Sequence, residues 1–179
     1  MGNEVEEIGE VSELEREVVH LLQSRRYDPD ILPRLEAYVE FQVNENKYDS
    51  DANMAVLKLY QFYPERYKKQ TVVNILAKSI MALPETDFLC GSYMIPLGAQ
   101  KEQPIPTLLA LVNELETGHF ERFWEKAEAI DALRHSVVGF DDAVRVLMLD
   151  VIARTYCRID VVLLSKLINL SVDQVKHMV

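Results

Sequence analysis

Apolar residues recur every three or four positions over most of this chain, the spacing that gathers them on one face of an α-helix. Val5, Ile8, Val11, Leu14, Val18, Leu21 and Leu22 begin the pattern and predict an amphipathic helix over residues 4–25. Tyr27-Asp28-Pro29-Asp30 ends it, because Pro29 disfavours the helical conformation at Asp28 and Asp30 is placed to cap the next helix. That second helix, over about 31–45, presents Leu35, Tyr38, Val39 and Val43. Ser50 then offers a capped start for the run Met54 to Phe62, closed by Pro64. That run is apolar around most of its circumference, which predicts burial on two sides within a stacked helical array.

Residues 68–83 continue with Val72, Val73, Ile75, Leu76, Ile80 and Leu83, and Pro84 stops them. Thr86 or Asp87 is placed to cap a helix from Phe88 to Leu97 that Gly91 and Pro96 keep short and irregular. Over 105–117, Leu108, Leu111, Val112 and Leu115 turn inward, and Gly118 stands where a helix C-terminus favours a left-handed residue. Two short segments, about 119–127 and 128–137, lead to Gly139.

Beyond Gly139 the texture changes to a long helix from Phe140 to Cys157, a β-prone joint at Arg158 to Val161, and a helix-turn-helix. Leu163, Leu164, Leu167 and Ile168 make its first helix, and Ser171 with Gln174 forms a capping box for Val172 to Val179. The pattern ends where a winged-helix domain still needs its β-hairpin, so the expectation is a winged helix lacking its wing, on a C-terminus cut short.

Helices of this length with short connections lie antiparallel to their neighbours and stack in pairs. The expected fold is therefore all-α and α-solenoid-like. No strict period of about 34 or 40 residues is present, so any repeat is structural rather than sequential. The chain divides into three parts: an acidic amphipathic helix (1–26), a helical body (27–138) and the helix-turn-helix end (139–179).

Composition narrows the function. With 179 residues, 49% of them hydrophobic, the chain can bury a substantial core, and seven prolines with six glycines are too few for a loop-rich β protein. A net charge of -10 repels phosphate backbones and points to protein partners. Half of the excess lies within residues 1–25, where Glu4, Glu6, Glu7, Glu10, Glu13, Glu15 and Glu17 face only Arg16 and Arg25. Cys90 and Cys157 stand far apart, without metal or disulfide spacing, as expected of a reducing compartment. No apolar run reaches the roughly 18 residues that cross a bilayer, and the N-terminus is acidic rather than signal-like, so a cytoplasmic location is expected.

No reaction is proposed by the residues. Gly91-Ser92-Tyr93-Met94 lacks both the second glycine and the preceding strand of a nucleophile elbow. His20, His119, His135 and His177 have no helical ligand spacing for a metal, and the string from Gly91 to Gly98 lacks the spacing and lysine of a phosphate loop. Asp141 and Asp142 begin a helix, where negative charge complements the dipole. Tyr63, Arg66, Tyr67, Lys68 and Lys69 form the best basic-aromatic patch, interrupted by Pro64 and Glu65 and better read as a solvated helix start than as an RNA site. Along residues 172–179 one Asp and one Lys cancel, so the helix-turn-helix lacks the charge for DNA and fits protein contact better. No catalytic, metal or cofactor residue is expected.

Several strings in order resemble the subunit k family of eukaryotic translation initiation factor three. They are Tyr27 to Val39, Ala55 to Phe62, Leu83-Pro84 with Thr86-Asp87-Phe88, Leu115 to Phe120 with Phe123-Trp124, and Gly139-Phe140. The resemblance covers about residues 27–179 and implies a HEAT-analogous helical domain followed by a winged helix. That is the arrangement of the PCI group, also found in the proteasome lid and the COP9 signalosome. It further implies a non-catalytic scaffold subunit that supports assembly of the factor on the small ribosomal subunit, with subunit l as direct partner. The alternatives are a lid or signalosome subunit, or a helix-turn-helix nucleic-acid binder. Candidate partner-contact residues are Asp160, Lys166, Asp173, Lys176 and His177, because Val172, Val175 and Val179 are expected to face inward.

Overall fold

The computed structural model describes residues 12–178, and among these every regular element is helical. α1 (Glu13–Arg25) packs on α2 (Leu32–Asn44) and α3 (Ser50–Phe62). α4 (Lys69–Met81), α5 (Asp87–Met94) and α6 (Ile105–Glu116) continue the stack, followed by α7 (Phe120–Ala127) and α8 (Asp131–Ser136). α9 (Phe140–Thr155) returns across α4, and α10 (Val161–Leu167) pairs with α11 (Val172–Met178) at the end.

The predicted stripes lie inside: Leu35, Tyr38, Val39 and Val43 of α2 and Leu108, Leu111, Val112 and Leu115 of α6 are all buried. Several caps differ from expectation by one or two residues. Asp28, not Asp30, caps the turn before α2, its carboxylate accepting the Asp30 N–H at 2.9 Å. Asp49, one residue before Ser50, caps α3 by accepting the Ala52 N–H at 3.0 Å. α5 has no side-chain cap, since Thr86 stands at its N-terminus without such a bond, and it stops at Met94 because Ile95 is already extended. The joint at Arg158 to Val161 forms no strand: Asp160 accepts the Val162 N–H at 2.7 Å and starts α10 instead. The predicted helix over 4–11 and the inward position of Val179 lie outside the described residues.

α1 is tied to the body rather than left free. Val18 and Leu22 are buried, Glu15 accepts Lys47 Nζ at 2.7 Å, and Glu17 pairs with Arg34. Between α2 and α3 the fully buried Gln42 and Asn53 exchange amide hydrogen bonds of 3.0 and 3.1 Å, and Gln42 Oε1 also accepts the Asp49 N–H at 2.8 Å. A slip between these helices would strand buried polar groups, at about 1–3 kcal/mol each, so the pair fixes their register.

The most enclosed element is α4. Every residue from Thr71 to Ile80 is buried, because α2, α3, α5, α6 and α9 surround it. Thr71, Asn74, Lys78 and Ser79 are therefore interior despite their polarity. Lys78 has no carboxylate partner among the described residues; its ammonium donates to Asn46 Oδ1 at 3.1 Å.

Burial pushes the Lys78 pKa below its ordinary value of 10.5. Between the lowered value and 10.5 the unfolded chain holds more protons at this site than the folded one, so stability rises with pH across that window. Below the window the penalty on the charged form is constant. Lys78→Met, similar in length and uncharged, is expected to remove this rise and to be the more stable protein at neutral pH, since Asn46 is exposed and can turn to water. Urea midpoints of both proteins across the window check it; parallel pH profiles would refute it.

Candidate partner interface

The C-terminal helix pair is positioned by one aromatic residue. Trp124 on α7 is 6% exposed and packs edge-on against Phe123 at 5.1 Å between centroids. Its indole N–H donates to the Leu167 carbonyl at 2.9 Å, at the end of α10. Guanidinium groups of Arg134 and Arg145 lie 5.5 and 5.2 Å from the ring. Arg145 also donates to the Ile168 carbonyl at 3.1 Å, and Arg134 makes two bonds, 2.8 and 2.6 Å, to Asp141. Asp142 takes Arg145 at 2.9 Å, so the two carboxylates at the start of α9 are structural partners as well as dipole complements.

On α11 the predicted capping box is present: the Ser171 N–H donates to Gln174 Oε1 at 2.9 Å and the Gln174 N–H to Ser171 Oγ at 3.2 Å. It starts α11 at Val172. Val175 is buried, while Asp173, Lys176 and His177 are exposed together, with Lys176 Nζ 3.9 Å from Asp173. Asp160 and Lys166 are exposed too but sit at opposite ends of α10, roughly 9 Å apart along its axis. Lys166 faces a shallow hollow beside Trp124, Arg134 and the acidic side chains of Glu121 and Glu125. The structure therefore groups three of the five predicted residues and sets the other two apart.

A second surface was not predicted. Between the α4–α5 connection, the end of α6 and the second half of α9 lies a groove of ≈ 490 Å³, more apolar than polar. Leu83, Phe88 and Leu89 form one wall, Leu115 the next, and Leu147 and Val151 the third. Glu85 and Glu116 stand on its rim. Its segments are some 30 residues apart in sequence, so no local pattern marks it. A hint existed in α5, a short helix apolar on nearly all sides, of which only Phe88 and Gly91 are buried.

Other candidates are ordinary. Lys68 pairs with buried Glu36 at 2.6 Å and Lys69 with Glu102 at 3.4 Å, so the basic-aromatic patch is partly neutralised. Ser92 Oγ donates to the Leu89 carbonyl at 2.8 Å. Among the described residues no group of His, Cys, Asp and Glu could hold a metal ion, and no helix is long and apolar enough to cross a membrane.

A model of the CSN8/PSMD8/EIF3K family matches residues 66–179. The sequence is also 43% identical over 152 residues to eukaryotic translation initiation factor 3 subunit K of Homo sapiens, covering 84% of this chain and 70% of that protein. The chain belongs to the CSN8/PSMD8/EIF3K family. Relatives of the same name are 41% identical over 152 residues in Danio rerio, covering 84% of this chain and 69% of that protein, and 38% identical over 144 residues in Drosophila yakuba, covering 80% and 65%. The segment matched to the CSN8/PSMD8/EIF3K family runs from the turn before α4 to the end of α11. It thus contains both surfaces just described, the helix pair and the groove.

Proposed function

We propose that this protein is a non-catalytic scaffold subunit of eukaryotic translation initiation factor three, acting in the cytoplasm and bound to other subunits of the factor, with the small ribosomal subunit reached through the complex. The carrying observation is the 43% identity to the human subunit K over 84% of this chain. In this reading residues 27–138 are a HEAT-analogous helical body and 139–179 the helical part of a winged helix. The work of such a protein is burial of surface against its neighbours, at least about 1,000 Å² for a stable contact. Affinity purification from cell extract is expected to bring down the other subunits of the factor. Co-elution of proteasome-lid or signalosome subunits instead would overturn the assignment within the same family.

Within the factor, subunit l is the proposed direct partner, and the outer face of α11 the proposed contact, with Asp160 and Lys166 on α10 contributing. Because Asp173 and Lys176 pair with each other, exchanging them as Asp173→Lys with Lys176→Asp keeps the pair on the helix while inverting the charge pattern offered outward. Rim charges act on partner choice more than on fold. Both exchanged charges oppose the α11 dipole, so the thermal midpoint is expected to fall slightly, while retention of subunit l in a pull-down falls several-fold, about a factor of five for each 1 kcal/mol lost. Equal retention would remove this face from the interface.

A further inference from the structure

We propose that the groove between α5, α6 and α9 is a docking cleft for an amphipathic helix of a partner protein whose apolar stripe is flanked by lysine or arginine; the partner's membership of the factor rests on the subunit reading above. The shape fits a helix. Leu147, Val151 and Thr155 succeed one another at intervals of four along α9, a straight ridge of roughly 12 Å that runs beside about two turns of an incoming helix. Opposite it, Leu89 is 54% exposed although it borders an apolar wall, and with the half-buried Leu83, Leu147 and Val151 it leaves apolar surface open to water. Covering that surface is favourable for any apolar stripe with anchors three or four residues apart.

Charge selects among occupants. The only ionisable groups lining the groove are Glu85 and Glu116, and neither has an ion-pair partner among the described residues. A helix that brings lysine or arginine to the rim gains their attraction, and one that brings carboxylates meets repulsion. A second copy of this chain is disfavoured, because a two-fold contact places the same acid rim against itself in a protein of net charge -10. The chain's own residues 1–11 carry Val5, Ile8 and Val11, but also Glu4, Glu6, Glu7 and Glu10 with no lysine or arginine, so their charge has the wrong sign. Nucleic acid is repelled for the same reason.

The test places the photoreactive residue p-benzoylphenylalanine at position 89 of the full chain, in cells, and identifies the peptides cross-linked on irradiation. The expected product joins position 89 to a segment of another protein with apolar residues three or four apart and lysine or arginine beside them. Glu85→Lys combined with Glu116→Lys, both exposed, is expected to lower its yield at least about tenfold. Products confined to a second copy, to residues 1–11, to nucleic acid or to an acidic segment would overturn the proposal, as would no product or a yield indifferent to the double reversal. A basic amphipathic segment from a protein outside the factor would keep the cleft and remove the subunit reading. Co-purification with the factor but no such product would do the reverse.

Discussion

Trp124→Ala will lower the stability of the protein by about 3–5 kcal/mol, the range for truncating a large buried aromatic, and will free the C-terminal helix pair in particular. The loss has three sources acting at one place. The ring contact with Phe123 disappears, the Leu167 carbonyl at the end of α10 loses its donor, and the guanidinium groups of Arg134 and Arg145 lose the face they lie on. Cation–π contacts contribute about 0.5–2 kcal/mol each, the larger figure when water is excluded. Arg145 still holds the Ile168 carbonyl, so the pair should loosen rather than detach.

Trp124→Phe separates the contributions. It keeps a ring for both arginines but not the indole N–H, and it is expected to cost about 1–3 kcal/mol. Hydrogen exchange then gives the spatial readout: amides of α10 and α11 should speed up in Trp124→Ala well before those of α4, since local opening tracks local contact. Equal loss of protection in α4 and α10, or a denaturation midpoint unchanged by the alanine, would contradict the role given to this side chain. The same variant bears on function, because this anchorage, together with the Arg145 bond to the Ile168 carbonyl and the buried Val175, holds α11 against the body.

Elements whose information is local were legible in the sequence. The inward stripe of α6 comes from Leu108, Leu111, Val112 and Leu115, and the start of α11 from the Ser171–Gln174 box, because each depends on neighbours within one or two turns. Burial of Thr71, Asn74, Lys78 and Ser79 was not legible, because polar residues at helical spacing normally mark the solvated face and only the five helices around α4 reverse that. The groove escaped for a related reason: Leu83, Leu115 and Leu147 each look like a stripe residue, and their meeting is a property of how α5, α6 and α9 assemble. Asp160 was legible as a surface residue but not as the cap of α10, since the β-branched Val161 and Val162 next to it favour strand over helix.

Gly139→Ala is expected to be nearly as damaging, through backbone and packing together. Gly139 has φ of +77°, where an L-residue with a Cβ is disfavoured by roughly 1–2 kcal/mol. An added Cβ would also stand 2.7 Å from Asn46 Nδ2, closer than atoms pack, and 3.1 Å from its Cγ, tighter than most Cβ contacts. The Asn46 side chain is exposed and can turn aside, but only by giving up the bond its Oδ1 accepts from the buried Lys78 ammonium. Displacing it strands that ammonium, at a further 1–3 kcal/mol or so, for a combined loss of about 2–5 kcal/mol. The neighbouring Val138 N–H, which donates to the Val43 carbonyl at 3.2 Å, would be strained by the same shift. Asn46→Gly provides the control: it keeps the left-handed backbone and removes the obstructing side chain. If the steric account is right, Gly139→Ala costs at least about 1 kcal/mol less in the Asn46→Gly background than in the parent, a coupling that a double-mutant cycle measures directly. Strict additivity of the two substitutions would leave only the backbone strain and refute the contact.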